Sequence, residues 1–167
     1  MVEQMWRIRD ATSDDVDFLW LMLAHAGAWP PGSALATRAE MEDHPKVRVY
    51  VEGWRRAGDL GLVAVDQAGS AIGATWLRFH TAEAPGFGFV DEATPEVAIA
   101  LVPEWRSRGI GSVLLSTLIK QVRSSGVAAI SLSARRGNPA VNLYQRLGFE
   151  TVAEHDDLDD YVMRLSL

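Results

Sequence analysis

Cysteine is absent from the 167 residues. That removes disulfides, cysteine nucleophiles and thiolate metal sites from consideration. Histidine is scarce: the chain has 4, His25, His44, His80 and His155, and their spacing matches no metal-ligating pattern. Positive charge is in deficit. Lys and Arg number 16 against 22 Asp and Glu, giving a net charge of −6, whereas a general nucleic-acid binder would be basic. Long apolar runs are missing as well, since no stretch approaches the ~20 residues of a membrane-spanning helix. Met1–Ile8 is polar and lacks the apolar core of a secretory signal. The expectation is a cytoplasmic protein that binds neither nucleic acid nor membrane and needs no metal. What the chain does have is apolar material, 48% of its residues. Its length suits one domain with a real core, spanning residues 1–167.

The stretch around which the rest is organised runs from Glu96 to Ser112. Val97, Ile99 and Leu101 alternate with Ala98 and Ala100, the period of a strand, and Pro103 ends it. From Ile110 the period changes. Ile110, Val113, Leu114, Leu115, Leu118, Ile119 and Val122 make the apolar face of a helix whose other side carries Lys120, Gln121 and Arg123. Between strand and helix lies Arg106-x-x-Gly109-x-Gly111. Two glycines permit a tight turn with exposed N–H groups. The first turn of the helix adds unpaired donors and a partial positive charge. Together they suit a phosphate or pyrophosphate, with Arg106 and Arg108 adding full charges. The plainer alternative is a tight loop with solvated arginines. A Walker A loop is excluded by the glycine spacing and the missing Lys-Ser/Thr. A Rossmann fingerprint is excluded by the missing third glycine, where Val113 and Leu114 stand.

This pattern resembles the acetyl-CoA site of the GNAT N-acetyltransferase superfamily. A second stretch, Asn138-Pro139-Ala140-Val141-Asn142-Leu143-Tyr144-Gln145-Arg146-Leu147-Gly148-Phe149, resembles that family's block Asn-x-x-Ala-x-x-Leu-Tyr-x-x-x-Gly-Phe. It follows in the family's order, with a strand-like Ala128–Ser133 between. The close match covers roughly 95–150, and the N-terminal half matches in element order alone. The resemblance implies acetyl-CoA as co-substrate. Backbone groups of Leu101 and Val102 would bond the pantetheine like an added strand. The pyrophosphate would rest on the N–H groups of Arg108, Gly109, Ile110, Gly111 and Ser112, beside Arg106. Asn138 would contact the pantetheine. Asn138 is equally placed to cap the helix that Pro139 opens.

The remaining elements follow from periodicity and punctuation. Met5–Arg9 alternates as a first strand. Thr12–Asp15 supplies caps for a helix that stops near Gly27, and Ala28–Ser33 is a loop. Leu35–Asp43 and Pro45–Arg56 read as further helices, with Pro45 at the first helical position. Leu60–Asp66 and Ala71–His80 read as a hairpin, followed by a long connection to Thr94. Glu150–Glu154 and Tyr161–Ser166 close the chain as two strands around the acidic turn His155–Asp160. Hairpin-linked strands must be antiparallel. The expected fold is therefore α/β: a mixed, mostly antiparallel sheet of about seven strands, helices on both faces, and, by resemblance, a splayed central pair.

The chemistry sets its own requirements. A lysine-like amine has a pKa of about 10.4, and deprotonating it at neutral pH costs roughly 4 kcal/mol. A base or a desolvated site must offset that. Glu96 opens the motif strand beside the small Ala98 and Ala100 and is the candidate base; the resemblance implies that it acts directly or through water, and water itself is the other candidate. An exposed or ion-paired strand-end glutamate is the alternative, and Asp91, Glu92 and His80 are other base candidates. Arg78 and His80 are placed to face the acceptor. Tyr144 holds the position where many members of that family carry a tyrosine that protonates the departing thiolate. Its alternative is a packed core tyrosine. The acceptor would be a small-molecule or peptide amine, and homodimers are common in the family. Two other classes stay open: a CoA-binding sensor or regulatory module without turnover, and a nucleotide-dependent transferase. Gly111→Glu is expected to abolish acetyl-CoA binding by placing bulk and negative charge at the pyrophosphate. Calorimetry on the folded variant checks this, and unchanged affinity would remove the motif from the cofactor site.

Overall fold

The alternating stretches become seven strands: β1 (Trp6–Asp10), β2 (Leu60–Asp66), β3 (Ala71–Arg78), β4 (Glu96–Leu101), β5 (Ala129–Arg135), β6 (Glu150–His155) and β7 (Asp160–Ser166). The computed structural model describes residues 4–167, so Met1–Glu3 of the polar N-terminal stretch lie outside the described residues. The strands form one sheet in the order β1-β2-β3-β4-β5-β7-β6. Every neighbouring pair is antiparallel except β4 and β5. Those two are parallel and share a single register position, Glu96 opposite Ser131. Beyond it they diverge. The expected splay is therefore present, and the C-terminal half of β4 (Ile99–Leu101) is only half-buried.

Helices cover both faces. On one, α4 (Ile110–Arg123) and α5 (Ala140–Arg146) pack over the sheet. Leu114, Leu115, Leu118 and Ile130 are fully buried there. Val113, assigned by periodicity to the apolar face of α4, is 44% exposed. At ~100° per residue it falls opposite the stripe centred on Leu114 and Leu118. On the other face, α1 (Val16–Gly27), α2 (Arg38–Asp43) and α3 (Pro45–Arg48) enclose a second core with Leu19, Met22, Val63 and Trp76. The expected Leu35–Asp43 helix starts later, at Arg38. Thr37 caps it by accepting from Glu40 N while Glu40 accepts from Thr37 N.

The larger departure is at Pro45–Arg56, where a long helix was expected and one turn with Pro45 at its start is found. The reason lies in Arg78. Its guanidinium is 1% exposed and donates to the carbonyls of Val49 (3.0 Å), Glu52 (2.7 Å) and Gly53 (3.3 Å). Those carbonyls are turned toward the sheet instead of along a helix. Asp59, 2% exposed, pairs with Arg78 Nε at 3.0 Å and accepts from the N–H groups of Arg55 and Arg56. One buried cation thus fastens 49–59 to β3. Removing its carboxylate leaves a buried charge uncompensated, which typically costs about 3–5 kcal/mol. Asp59→Ala is accordingly expected to lower unfolding free energy by about that amount in urea titrations. A change within about 0.5 kcal/mol would show the pair to be energetically silent.

Candidate active site

The divergence of β4 from β5 opens a cleft of about 580 Å³. Glu96, Leu101, Arg106, Gly111, Asn138 and Tyr144, all singled out in the sequence, line it. Val102, Arg108, Gly109, Ile110 and Ser112 do not line the cleft itself. The Ile110 side chain is fully buried in the core beneath α4, so its contribution is limited to its N–H. Along β4 the odd and even residues aim their backbone groups to opposite sides. Val102 N–H donates to Ile72 O at 2.9 Å, toward β3. By that alternation Ile99 and Leu101 present theirs to the gap. The Leu101 carbonyl accepts from Arg106 Nε at 3.1 Å.

The turn before α4 has the geometry an anion site needs. Gly109 holds φ +81°, a conformation that favours glycine, and no side chain caps the helix start. A Cβ on Gly111 would meet only Leu101 and Ile99 side-chain atoms at 3.7 and 3.9 Å. A side chain at position 111 would thus point into the gap between helix and β4, which glycine keeps clear. The arginines are partly committed. Arg106 bonds the Leu101 carbonyl and lies 3.4 Å from His25 Nδ1, while Arg108 donates to Glu104 O and stacks on Trp105 at 4.8 Å. The free N–H row, the splayed strands and the cleft fit a pyrophosphate with an extended arm. Asn138 Oδ1 accepts from Ala140 N at 2.9 Å, so the capping role is realised.

Glu96 stands where the strands begin to part, 2% exposed. Its Oε1 accepts from Gly88 N at 2.9 Å, and its Oε2 has no hydrogen-bond partner. Burial pushes the carboxyl up to about 8, against the opposing pull of the neighbouring Tyr50 hydroxyl and of Gly88 N–H. Gly88 itself is held by Ser131 Oγ, which donates to its carbonyl at 2.7 Å. A Cβ on Gly88 would lie 2.5 Å from the backbone of Leu132, and one on Gly86 would lie 2.6 Å from Glu96 Oε1. The long connection 79–95 is thus seated on the β4–β5 junction through these two glycines.

Tyr144 reaches the cleft from α5, on the opposite face. It is buried, packs edge-on against Phe149 at 6.0 Å, and burial raises its hydroxyl to about 12. Phe149 is core, 3% exposed. Arg78 belongs to the buried pair described above and does not line the cleft. His80 lies edge-on to Tyr50 at 5.4 Å, outside the cleft, and burial lowers its pKa to about 4. Asp91 and Glu92 are exposed on the connection and do not line the cleft. Among the lining residues that the sequence did not single out are Tyr50, hidden in a stretch read as a helix face; Asp160, read as turn; and Ser133 and Arg135, unremarkable on their strand. Among the described residues no group of three His, Cys, Asp or Glu is placed to hold a metal ion, and no helix is long and apolar enough to cross a membrane.

Residues 23–149 match the profile of the acetyltransferase (GNAT) family. The chain belongs to that family, whose members take the acetyl group from acetyl-CoA. It is 31% identical over 132 residues to mycothiol acetyltransferase of Pseudarthrobacter chlorophenolicus, covering 78% of this chain and 38% of that protein. It is 40% identical over 63 residues to ribosomal protein bS18-alanine N-acetyltransferase of Haemophilus influenzae, covering 38% of this chain and 42% of that one. The chain thus spans under half the length of these curated relatives. The fold matches that of phosphinothricin acetyltransferase from Sinorhizobium meliloti in complex with acetyl-CoA. There the TM-score is 0.70 at 22% identity, covering 98% of this chain and 89% of the other.

The state of Glu96 has a consequence for stability. Its ordinary carboxyl pKa, about 4.3, applies to the unfolded chain, and about 8 to the folded one. Between those values the folded protein holds a proton that the unfolded chain has lost. Stability is therefore greatest below the unfolded pKa, falls as pH rises through the folded value, and is level above it. Glu96→Gln removes this loss. Its melting temperature is expected to exceed that of the wild type by a margin that widens between pH 5 and 8 (roughly the two pKa values) and then holds. A constant margin would mean that Glu96 does not titrate in that window.

Proposed function

We propose that the chain is an acetyl-CoA-dependent N-acetyltransferase that moves the acetyl group directly to a primary amine, with Glu96 as base and Tyr144 at the leaving sulfur. The observation that carries this is the single-position β4–β5 pairing, which leaves one cleft lined by Glu96 on one face and Tyr144 on the other. The uncapped start of α4 and the N–H groups of Arg108 to Ser112 hold the pyrophosphate, and Gly111 leaves it room. Backbone groups of Ile99 and Leu101 bond the arm that passes through the gap. Residues 1–167 act as one domain of this type, and its place is the cytoplasm, where acetyl-CoA is available.

A base held at about 8 lies roughly two units from an amine near 10.4, whereas an ordinary glutamate lies about six units away. Glu96 is therefore the better proton acceptor for having been buried. At neutral pH about a tenth of it is ionised. Tyr144, held at about 12, stays protonated and donates its O–H toward the sulfur. A thiol ordinarily titrates near 8.5, so the phenol keeps its proton at equilibrium and stabilises the thiolate by a hydrogen bond while CoA takes a proton from solvent. The amine's proton remains on Glu96 until water removes it. A sensor that binds CoA without turnover is the competing class, and the pairing of Glu96 with Tyr144 across the cleft favours the enzyme.

The deciding experiment is calorimetry of acetyl-CoA binding, with CoA, ATP and NAD as comparisons, followed by an amine screen with thiol detection. Micromolar acetyl-CoA binding without ATP or NAD binding supports the assignment. Absence of CoA binding by the folded protein ends it. In the active enzyme kcat/KM is expected to rise with pH to a shoulder near 8, set by Glu96. Tyr144→Phe is expected to lower kcat by about ten- to a hundredfold with acetyl-CoA affinity unchanged. Equal turnover at every pH would reduce Tyr144 to packing.

A further inference from the structure

Asp160 is a buried carboxylate in the same cleft that the chemistry above leaves unused. It opens β7, opposite Arg135 of β5 and His155 of β6. Residues two apart on a strand share a face. Ser131, Ser133 and Arg135 therefore line one side of β5, with Glu96 beside the first and Asp160 beside the last. Both carboxylates line the cleft, and Ser133 lines it between them. Asp160 is 5% exposed, its Oδ1 accepts no hydrogen bond, and Glu96 Oε2 shares that condition. His155 Nδ1 lies 3.6 Å from Asp160 Oδ1, beyond hydrogen-bond distance, and is itself buried without a partner. Arg135 also lines the cleft, but its Nη1 is given to the Leu158 carbonyl at 3.0 Å.

Two buried carboxyl groups in one cavity, each with an oxygen that lacks a hydrogen-bond partner, are an unfavourable arrangement without a ligand, whether or not Glu96 carries its proton. Burial raises the Asp160 carboxyl and Asp157 adds repulsion, while His155, Arg135 and Arg136 act in the opposite direction. The charge of Asp160 in turn raises Glu96, so the two sense one another across the cleft. A single ammonium would compensate only one of them. Tyr50, Phe87 and Trp29 line the same cleft and offer apolar wall to the short carbon chain of a ligand.

We propose that Asp160 is a specificity-determining residue that holds a second ammonium group of the acceptor, so that the preferred substrates are aliphatic diamines acetylated at one end. This rests on the acetyltransferase assignment above. One amino group loses its proton to Glu96 and attacks the acetyl carbonyl. The C–N bond forms as the C–S bond breaks, the second nitrogen proton passes through solvent to the departing CoA thiolate, and the other end stays protonated on Asp160.

The test compares diaminopropane, diaminobutane and diaminopentane with propylamine, butylamine and pentylamine, using thiol release by the wild type and by Asp160→Asn. Acetyl-CoA binding is measured in parallel for both proteins. The expected result is a kcat/KM at least about tenfold higher for a diamine than for the monoamine of equal chain length. Asp160→Asn should erase that ratio by raising KM for the diamine, with kcat within about twofold and acetyl-CoA affinity unchanged. Equal use of monoamines overturns the assignment of Asp160, as does failure of every amine in the series or a diamine preference that survives in the variant. None of these touches the acetyltransferase reading so long as acetyl-CoA binds. Failure of the wild type to bind acetyl-CoA overturns both.

Discussion

A parallel pair of strands that meets at one position is the constraint on which this structure depends. Strands in the interior of a sheet normally satisfy each other's backbone groups along their length. Here Glu96 faces Ser131 and the ladder then stops. The unpaired edges must be met by something other than protein, and an extended amide-bearing arm is chemically suited to them. The same divergence brings the two faces of the sheet into communication. Tyr144 belongs to the face covered by α4 and α5, and Glu96 to the face covered by α1 to α3. Through the gap, Glu96 from one layer and Tyr144 from the other line the same cleft.

Burial tunes this site more than charge pairing does. Glu96 has a hydrogen bond from Gly88 but no ion pair, and desolvation dominates its proton affinity. Contrast Asp59, whose side chain is equally buried, which has Arg78 beside it and accepts from the N–H groups of Arg55 and Arg56. One carboxylate is compensated and structural; the other two, Glu96 and Asp160, retain unused acceptor capacity inside a cavity. That difference in satisfaction, and not in residue type, separates the framework carboxylate from the two in the cleft.

The legible parts were those whose signal is local. The strand-turn-helix around Gly109, the apolar stripe of α4, the hairpin of β2 and β3 and the capping position of Asn138 all follow from residues a few places apart, and all are present. Glu96 was legible because its strand carries small neighbours. What stayed hidden depends on distant register. Asp160 enters the cleft because β7 inserts between β5 and β6, turning the end of an acidic turn into a strand residue. Tyr50 enters because Arg78 unwinds the helix that would have carried it. Arg78 and His80 were assigned to the acceptor side by position alone, and both were instead absorbed into the packing beneath the 49–53 segment.

The two glycines of the 79–95 connection carry an implication for redesign. Gly88 has the β5 backbone against its missing side chain, and Gly86 has Glu96 and Tyr50 against its own. Neither position can be diversified without displacing Glu96 or the strand beside it. Phe87 sits between them, its N–H held by the Tyr50 hydroxyl at 2.9 Å and its ring in the cleft wall. The backbone there is locked on both sides, while the half-buried side chain packs beside His44 and Lys46 and lines the cleft. A mutational library aimed at altering the choice of acceptor would therefore best concentrate on this one wall position, leaving its flanking glycines untouched.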